Sequence, residues 1–213
     1  MPRPRFENLP PGRQREVLEA GAREFARHGY EGASFNRVMV EVEASKGAFY
    51  YWFADKADLY RCVLAESVER MSAAMGSVEA APSRQAFWDQ LARHFAQVGR
   101  FYRDDPSAAV LALAVARGEG GEELVDRGRK WIDDLVAEGR RCGAMRTDLP
   151  AELSAGIIWS MIEAADHWLV RNRRHLGRGG VSGPAGVTAS LAELVRLAFQ
   201  ARPGGKSRGT VLE

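Results

Sequence analysis

The chain has 213 residues, 46% hydrophobic and 27% charged, with a net charge of +2. That length buries a substantial core, and the composition is that of an ordinary globular protein. No apolar run of about 18 residues suggests a transmembrane helix, and MPRPRFENLPPGR lacks the apolar stretch of a signal peptide.

Residues 1–12 contain Pro2, Pro4, Pro10 and Pro11, and a flexible arm is expected there. Arg3 and Arg5 can lie along a phosphate backbone or in a minor groove; a solvated tail is the alternative. A first helix is expected over 13–28, with Val17, Gly21 and Phe25 beside Leu18, Ala22 and Ala26 at i, i+4 spacing. Gly29 ends it as a left-handed cap, and Tyr30 packs back. Ser34 is an N-cap for a second helix, with Val38 and Val42 on its buried side. Glu43 and Ala44 make a turn. Ser45 caps a third helix that runs to about Tyr51 or Trp52. Asp55 caps a fourth, Asp58 gives it a capping-box-like start, and it continues to about Met75.

Ala80–Ser83 breaks the pattern. Further helices are expected over about 84–102, with Phe87, Leu91, Phe95, Val98 and Tyr102 on one side, and over 108–116. Gly118, Gly120 and Gly121 mark a connection, and another helix follows over about 122–142. The helix over about 150–171 carries two apolar stripes. Leu153, Ile157, Met161, Ala164 and Trp168 form one; Ile158, Ile162, Ala165 and Leu169 form the other. Such a helix must be covered on more than one side. Arg171, Arg173, Arg174 and Arg178 lead into a Gly-rich loop, a last helix spans about 187–200, and a disordered tail is expected over 201–213. The fold class is all-α, with about nine helices and no strand. Cys62 and Cys142 have no metal-ligand spacing and read as buried thiols in a reducing cytoplasm.

The stretch Ser34–Leu59 is a helix, a tight turn, a second short helix and the capped start of a third. This is a helix-turn-helix, the unit that sets one helix into the major groove of DNA. Composition does not carry that reading, because residues 1–60 hold nine basic and nine acidic side chains. Position does. The second helix opens Lys46-Gly47-Ala48, small enough for close approach to base edges. Lys46 can donate to guanine, and Ala48 can touch a thymine methyl. Tyr50 and Tyr51 offer hydroxyls to phosphates. Lys56 stands at a helix start suited to phosphate. Asn36 and Arg37 add backbone contacts, and Ser34, Ser45 and Gly47 complete the candidate DNA-binding set.

The pattern Ser34, Val38, Ala44-Ser45-x-Gly47-x-Phe49-Tyr50-x-Trp52-Phe53-x-x-Lys56-x-x-Leu59 resembles the TetR family of bacterial regulators. Val17-Leu18-x-Ala20 and Phe25-x-x-x-Gly29-Tyr30 fit the same resemblance, as does the turn Gly143-x-Met145-Arg146-x-Asp148-Leu149. Met39, Glu43 and Trp52 depart from it, standing where Ala, Gly, and His or Tyr are usual. The resemblance implies a DNA-binding domain over 13–60 and a ligand-binding and dimerisation domain over 61–200. It implies a homodimer through the helices near 150–171 and 187–200, bound to a palindromic double-stranded DNA operator. It also implies a small-molecule effector whose binding moves the helix after Asp55 and respaces the two reading heads.

Trp88, His94, Phe95, Phe101, Trp131, Trp159 and Met161 are candidates to line a pocket for an apolar or aromatic effector, with His94 and Glu163 as polar anchors. Glu163 and His167 lie four apart beside Asp166, but a helical di-metal site needs a second such motif, and His28, His94 and His175 lack carboxylate partners at helical spacing. No metal, cofactor, catalytic residue or membrane partner is expected. The function expected is a cytoplasmic, ligand-responsive regulator, a repressor rather than an enzyme. The alternatives are a DNA-binding regulator controlled by a protein partner, and a helical binding protein without an operator.

Overall fold

A computed structural model describes residues 4–115, 122–172 and 183–201. Ten helices lie among them: α1 (Pro4–Glu7), α2 (Pro11–Gly32), α3 (Phe35–Glu41), α4 (Lys46–Trp52), α5 (Lys56–Met75), α6 (Arg84–Asp104), α7 (Pro106–Val115), α8 (Glu122–Arg141), α9 (Ala151–Arg171) and α10 (Pro184–Phe199). None of the described helices is long and apolar enough to cross a membrane. The Gly118–Gly121 connection, Arg3, Arg173, Arg174, His175, Arg178 and the tail beyond 201 fall outside the described residues.

The chain divides into two compact units, Met1–Ala73 with Asp105–Gly121, and Ala74–Asp104 with Glu122–Glu213. In the first, Val17 and Phe25 of α2, Val38 of α3, Phe49 of α4, Leu59 of α5 and Leu111 of α7 share one apolar core. α5 passes so close to α2 that a Cβ on Gly21 would meet Val63 Cγ2 at 2.8 Å. The apolar α7, which falls within 61–200, packs on α2.

The expected arm needs correction. Residues 4–7 are helical, and Phe6 is buried with its ring 4.8 Å from that of Phe53. One buried aromatic ring contributes about 1.5–3 kcal/mol to holding this short turn, and Gln14 Nε2 adds hydrogen bonds to the Glu7 and Leu9 carbonyls at 2.9 and 2.7 Å. Pro11 then opens α2, a position where its missing N–H costs nothing. Gly29 interrupts α2 at φ 68°, ψ 175°, a conformation reserved for glycine, and one more turn follows to Gly32.

In the second unit α6, α8, α9 and α10 enclose a core of Phe87, Leu91, Ile132, Leu135, Ile158, Val195 and Phe199. α10 starts at Pro184, earlier than expected, and lies so near α6 that a Cβ on Gly99 would be 2.9 Å from Ala185 Cα. The end of α10 is tied to the turn before α9. Arg146 N–H donates to the Phe199 carbonyl and Ala201 N–H to that of Ala144, each at 2.8 Å. Residue 201 is therefore anchored rather than part of a loose tail. The two stripes of α9 face different ways: Ile158 and Leu169 are buried, whereas Leu153, Ile157 and Trp168 are exposed.

Candidate nucleic-acid interface and ligand site

Both serines act as the sequence predicts. Ser34 Oγ accepts from Arg37 N–H at 3.3 Å and Ser45 Oγ from Ala48 N–H at 3.2 Å, fixing the starts of α3 and α4. Between them α3 closes in a Schellman turn. Glu43 N–H donates to the Val40 carbonyl at 3.1 Å and Ala44 N–H to that of Met39 at 3.0 Å. The residue that must be left-handed there is Glu43, at φ 50°. The turn thus keeps its geometry with a side chain that is strained in it. At the next junction Asp58 N–H donates to Asp55 Oδ1 at 2.8 Å, while Asp58 Oδ2 accepts from Ala54 N–H at 3.1 Å.

Phe49 anchors α4 from below. It is fully buried, with ring centroids 4.7 Å from Phe35, 5.9 Å from Trp52 and 5.6 Å from Phe53. Trp52 fits as a buried residue of this aromatic cluster. With Phe49 pointing inward, Lys46, Gly47, Tyr50 and Tyr51 face outward, and Ala48 is half-buried beside the core. The Tyr50 ring meets Phe35 edge-on at 5.3 Å yet remains exposed. A Cβ on Gly47 would meet nothing within 4 Å, so the backbone here is open to close approach. Asn36 is also exposed. Val40, 71% exposed, is a member of this surface absent from the sequence-based set, and the Arg5 guanidinium, a candidate for phosphate or the minor groove, lies 3.7 Å over the Tyr51 ring. Val40 is betrayed by its spacing of two from both buried valines, Val38 and Val42.

Two assignments change. Lys56 was expected to bind phosphate, but its ammonium donates to the carbonyls of Tyr30 (2.8 Å), Glu31 (3.2 Å) and Ala33 (3.3 Å). An ammonium has three donors, and the end of α2 takes them all. Arg37 is likewise drawn into the fold: Nε donates to Glu24 Oε1 at 2.9 Å and Nη2 to the Gly32 carbonyl at 2.9 Å. Burial raises the Glu24 pKa, but the Arg37 hydrogen bond and the Ser34 N–H outweigh it, leaving the carboxyl below its ordinary range.

The candidate ligand residues all lie in the second unit. Phe95 is core, Trp88 packs edge-on to Phe87 at 4.8 Å, Phe101 lies 6.0 Å from Tyr102, and Met161 is half-buried against the core. Glu163 is corrected: it is on the exposed side of α9, one turn from exposed His167, because the helix turns its apolar residues Ile158, Ile162 and Ala165 inward. His94 and Trp131 come together, their rings edge-to-face with centroids 5.4 Å apart. His94 Nδ1 is 2.7 Å from the carbonyl of Met75, the last residue of α5. Burial holds this imidazole below its ordinary pKa. Gln90, one turn before His94, is equally buried and was missed; its place on the buried stripe of α6 was the available signal.

Among the described residues no group of His, Cys, Asp and Glu is placed to hold a metal ion. Cys62 is buried, which pushes its thiol up to about 11 and makes it inert at neutral pH. Cys142 is a half-buried free thiol.

A capped helix-turn-helix on a two-unit helical chain defines a class of DNA-binding regulator. Residues 17–63 match the family model described as bacterial regulatory proteins, tetR family. The chain is 34% identical to the HTH-type transcriptional repressor SCO4008 of Streptomyces coelicolor, over 88% of this chain and 95% of that one. It is 32% identical to the HTH-type transcriptional repressor AcnR of Corynebacterium diphtheriae, over 66% of this chain and 72% of the relative. A TetR family regulator from Chloroflexus aurantiacus superposes with a TM-score of 0.66 at 21% identity, covering 95% of this chain and 100% of the other. The chain belongs to the TetR family of transcriptional regulators, whose members are not enzymes.

Proposed function

We propose that this chain is a transcriptional repressor that binds a palindromic operator as a homodimer and is released by a small apolar or aromatic effector. The observation that carries the reading is the surface of α4. Lys46, Gly47, Tyr50 and Tyr51 stand outward on a helix whose start, turn and underside are all fixed. Lys46 and the open backbone at Gly47 suit base edges, and the two tyrosines suit flanking phosphates. Asn36 and the capping serines remain in the proposed contact set; Lys56 and Arg37 leave it as structural ties. The relatives named as repressors support the direction of control.

The dimer rests on α9 and α10. Leu153, Ile157 and Trp168 on one, with Leu194 (54% exposed) and Leu197 (55% exposed) on the other, leave an apolar surface in water. A second copy of the same face removes it by two-fold symmetry. The effector is proposed to act through α5, which starts beside the reading head at Lys56 and ends at Met75, the partner of His94. It must bind the DNA-incompetent state more tightly than the competent one.

The test is selection of bound sequences from a random duplex pool by the full chain. Enrichment of a palindrome with half-sites about one helical turn apart, or a multiple of it, is expected. No enrichment, or enrichment of a single unpaired half-site, contradicts the reading.

A further inference from the structure

Five buried polar atoms of the second unit have no hydrogen-bond partner among the described residues: Gln90 Oε1, His94 Nε2, Trp131 Nε1, Trp159 Nε1 and Arg140 Nε. Arg140 is tied to the turn before α9, its Nη2 donating to the Leu149 carbonyl at 2.7 Å, which leaves four. An orphaned buried polar group costs about 1–3 kcal/mol, so a cluster of them in a folded chain calls for an explanation. They are clustered. Gln90 and His94 are one turn apart on α6, 8% and 9% exposed. Trp131 lies edge-to-face against His94. Gly128, one turn before Trp131 on α8, is where Trp159 of α9 comes in; a Cβ there would meet its Cζ3 at 2.9 Å.

The hydrogen-bonding polarity of each atom is fixed by its neighbours. His94 Nδ1 faces a carbonyl, which only accepts, so Nδ1 carries the ring proton and Nε2 presents a lone pair. Gln90 Nε2 donates to the Glu79 carbonyl at 3.2 Å, so its Oε1 is the free end and accepts. The two indoles can only donate. The cluster therefore offers two N–H donors and two acceptors, without formal charge. A charged ligand buried against these four atoms would lose hydration with no counter-charge among them; the Arg129 guanidinium, 4.8 Å from the centre of the Trp159 ring, belongs to an exposed residue.

We propose that Gln90, His94, Trp131 and Trp159 are the polar anchor of the effector site, and that the effector is a neutral molecule presenting a hydrogen-bond acceptor and donor together, as an amide or hydroxy-carbonyl does, on an apolar body. The proposal rests on the effector-responsive reading above and gives that site its chemistry.

The test uses the full chain labelled with 15N and the indole N–H signals of its five tryptophans. The probes are benzamide, benzoate, benzylamine and toluene at equal millimolar concentrations. Benzamide is expected to shift two indole signals saturably, with Trp131→Phe and Trp159→Phe each removing one of them. Benzoate, benzylamine and toluene leave both in place. Gln90→Leu and His94→Phe are each expected to weaken benzamide binding at least fivefold; Gln90→Leu serves if His94→Phe fails to fold, as judged from the dispersion of the same spectrum. Equal or larger shifts from a charged probe, or no shift of these two signals by benzamide, overturns the proposal. Sequence selection uses no ligand, so a chain that selects a palindrome but ignores benzamide loses this inference and keeps its operator. A chain that selects nothing loses the repressor reading.

Discussion

The ammonium of Lys56, at the first position of α5, donates to the carbonyl of Tyr30 at 2.8 Å and lies 4.6 Å from the centre of the Tyr30 ring. With the carbonyls of Glu31 and Ala33 it closes the end of α2, which Gly29 has already broken. The charge that looks best placed for phosphate is thus a strut of the reading head. Lys56→Met should lower unfolding free energy by about 1–3 kcal/mol, since hydrogen bonds to a charged group are lost and carbonyls left open. Urea unfolding measures this. The salt dependence of DNA binding by the folded variant should be unchanged; a shallower slope would return Lys56 to the phosphate.

Glu43 occupies the left-handed position of the turn between α3 and α4 at φ 50°. A non-glycine residue there costs about 1–2 kcal/mol, offset by the about 0.4–1 kcal/mol of chain entropy that glycine loses on folding. Glu43→Gly should therefore raise stability by about 0.5 kcal/mol without moving either helix. Thermal unfolding with intact operator binding checks it, and a lowered melting temperature would refute the strain.

Glu138 accepts from Arg141 at 2.6 Å and from the Ala81 N–H at 2.5 Å, joining α8 to the segment before α6. The Arg141 hydrogen bond, then that of Ala81, lowers its pKa from 4.5 to about 2. A carboxyl depressed in the folded state stabilises it above the unfolded pKa and loses that contribution as pH falls through the folded one. The wild type should lose this increment between pH 4.5 and about 2, whereas Glu138→Gln should lack it already at neutral pH and show a shallower acid limb. Unfolding free energy measured from pH 7 to 3 for both chains tests this; parallel acid limbs would contradict it.

The legible parts of the sequence were those where one residue type has one physical use. Ser34 and Ser45 accept the expected N–H groups, Gly29 takes a conformation reserved for glycine, and α9 carries two apolar stripes, of which Ile158 and Leu169 are buried. Long-range pairing was not legible. Nothing local in Lys56 announces carbonyls twenty-three to twenty-six residues earlier, and nothing in Glu24 announces Arg37. Phe6 was hidden by its prolines: Pro4 and Pro10 argue against a long helix but allow one short turn under a buried ring. Glu163 was misplaced because helical spacing groups residues on a face without saying which face turns inward. Gln90 shows its burial in its place on the apolar stripe of α6, but not its role, which depends on partners on other elements.

Leu194 and Leu197 are exposed on α10, beside α9 and its own exposed Leu153, Ile157 and Trp168. Placing a charge there should split the proposed dimer while leaving each protomer folded, since neither leucine belongs to the buried core. Leu194→Glu with Leu197→Glu is expected to sediment as a monomer with native circular dichroism and to lose at least tenfold in operator affinity. A variant that stays dimeric would move the interface elsewhere.

The central claim is that the outward face of α4 reads DNA. Its most direct measurement is the affinity of Lys46→Ala and Tyr50→Ala for the selected operator, by fluorescence anisotropy at fixed salt, beside the thermal stability of each. Each variant should keep its fold. Lys46→Ala should cost about 1–3 kcal/mol against the operator and relax preference at one base pair of each half-site, while Tyr50→Ala should weaken binding to all sequences alike. Unchanged operator affinity in both folded variants would contradict the claim.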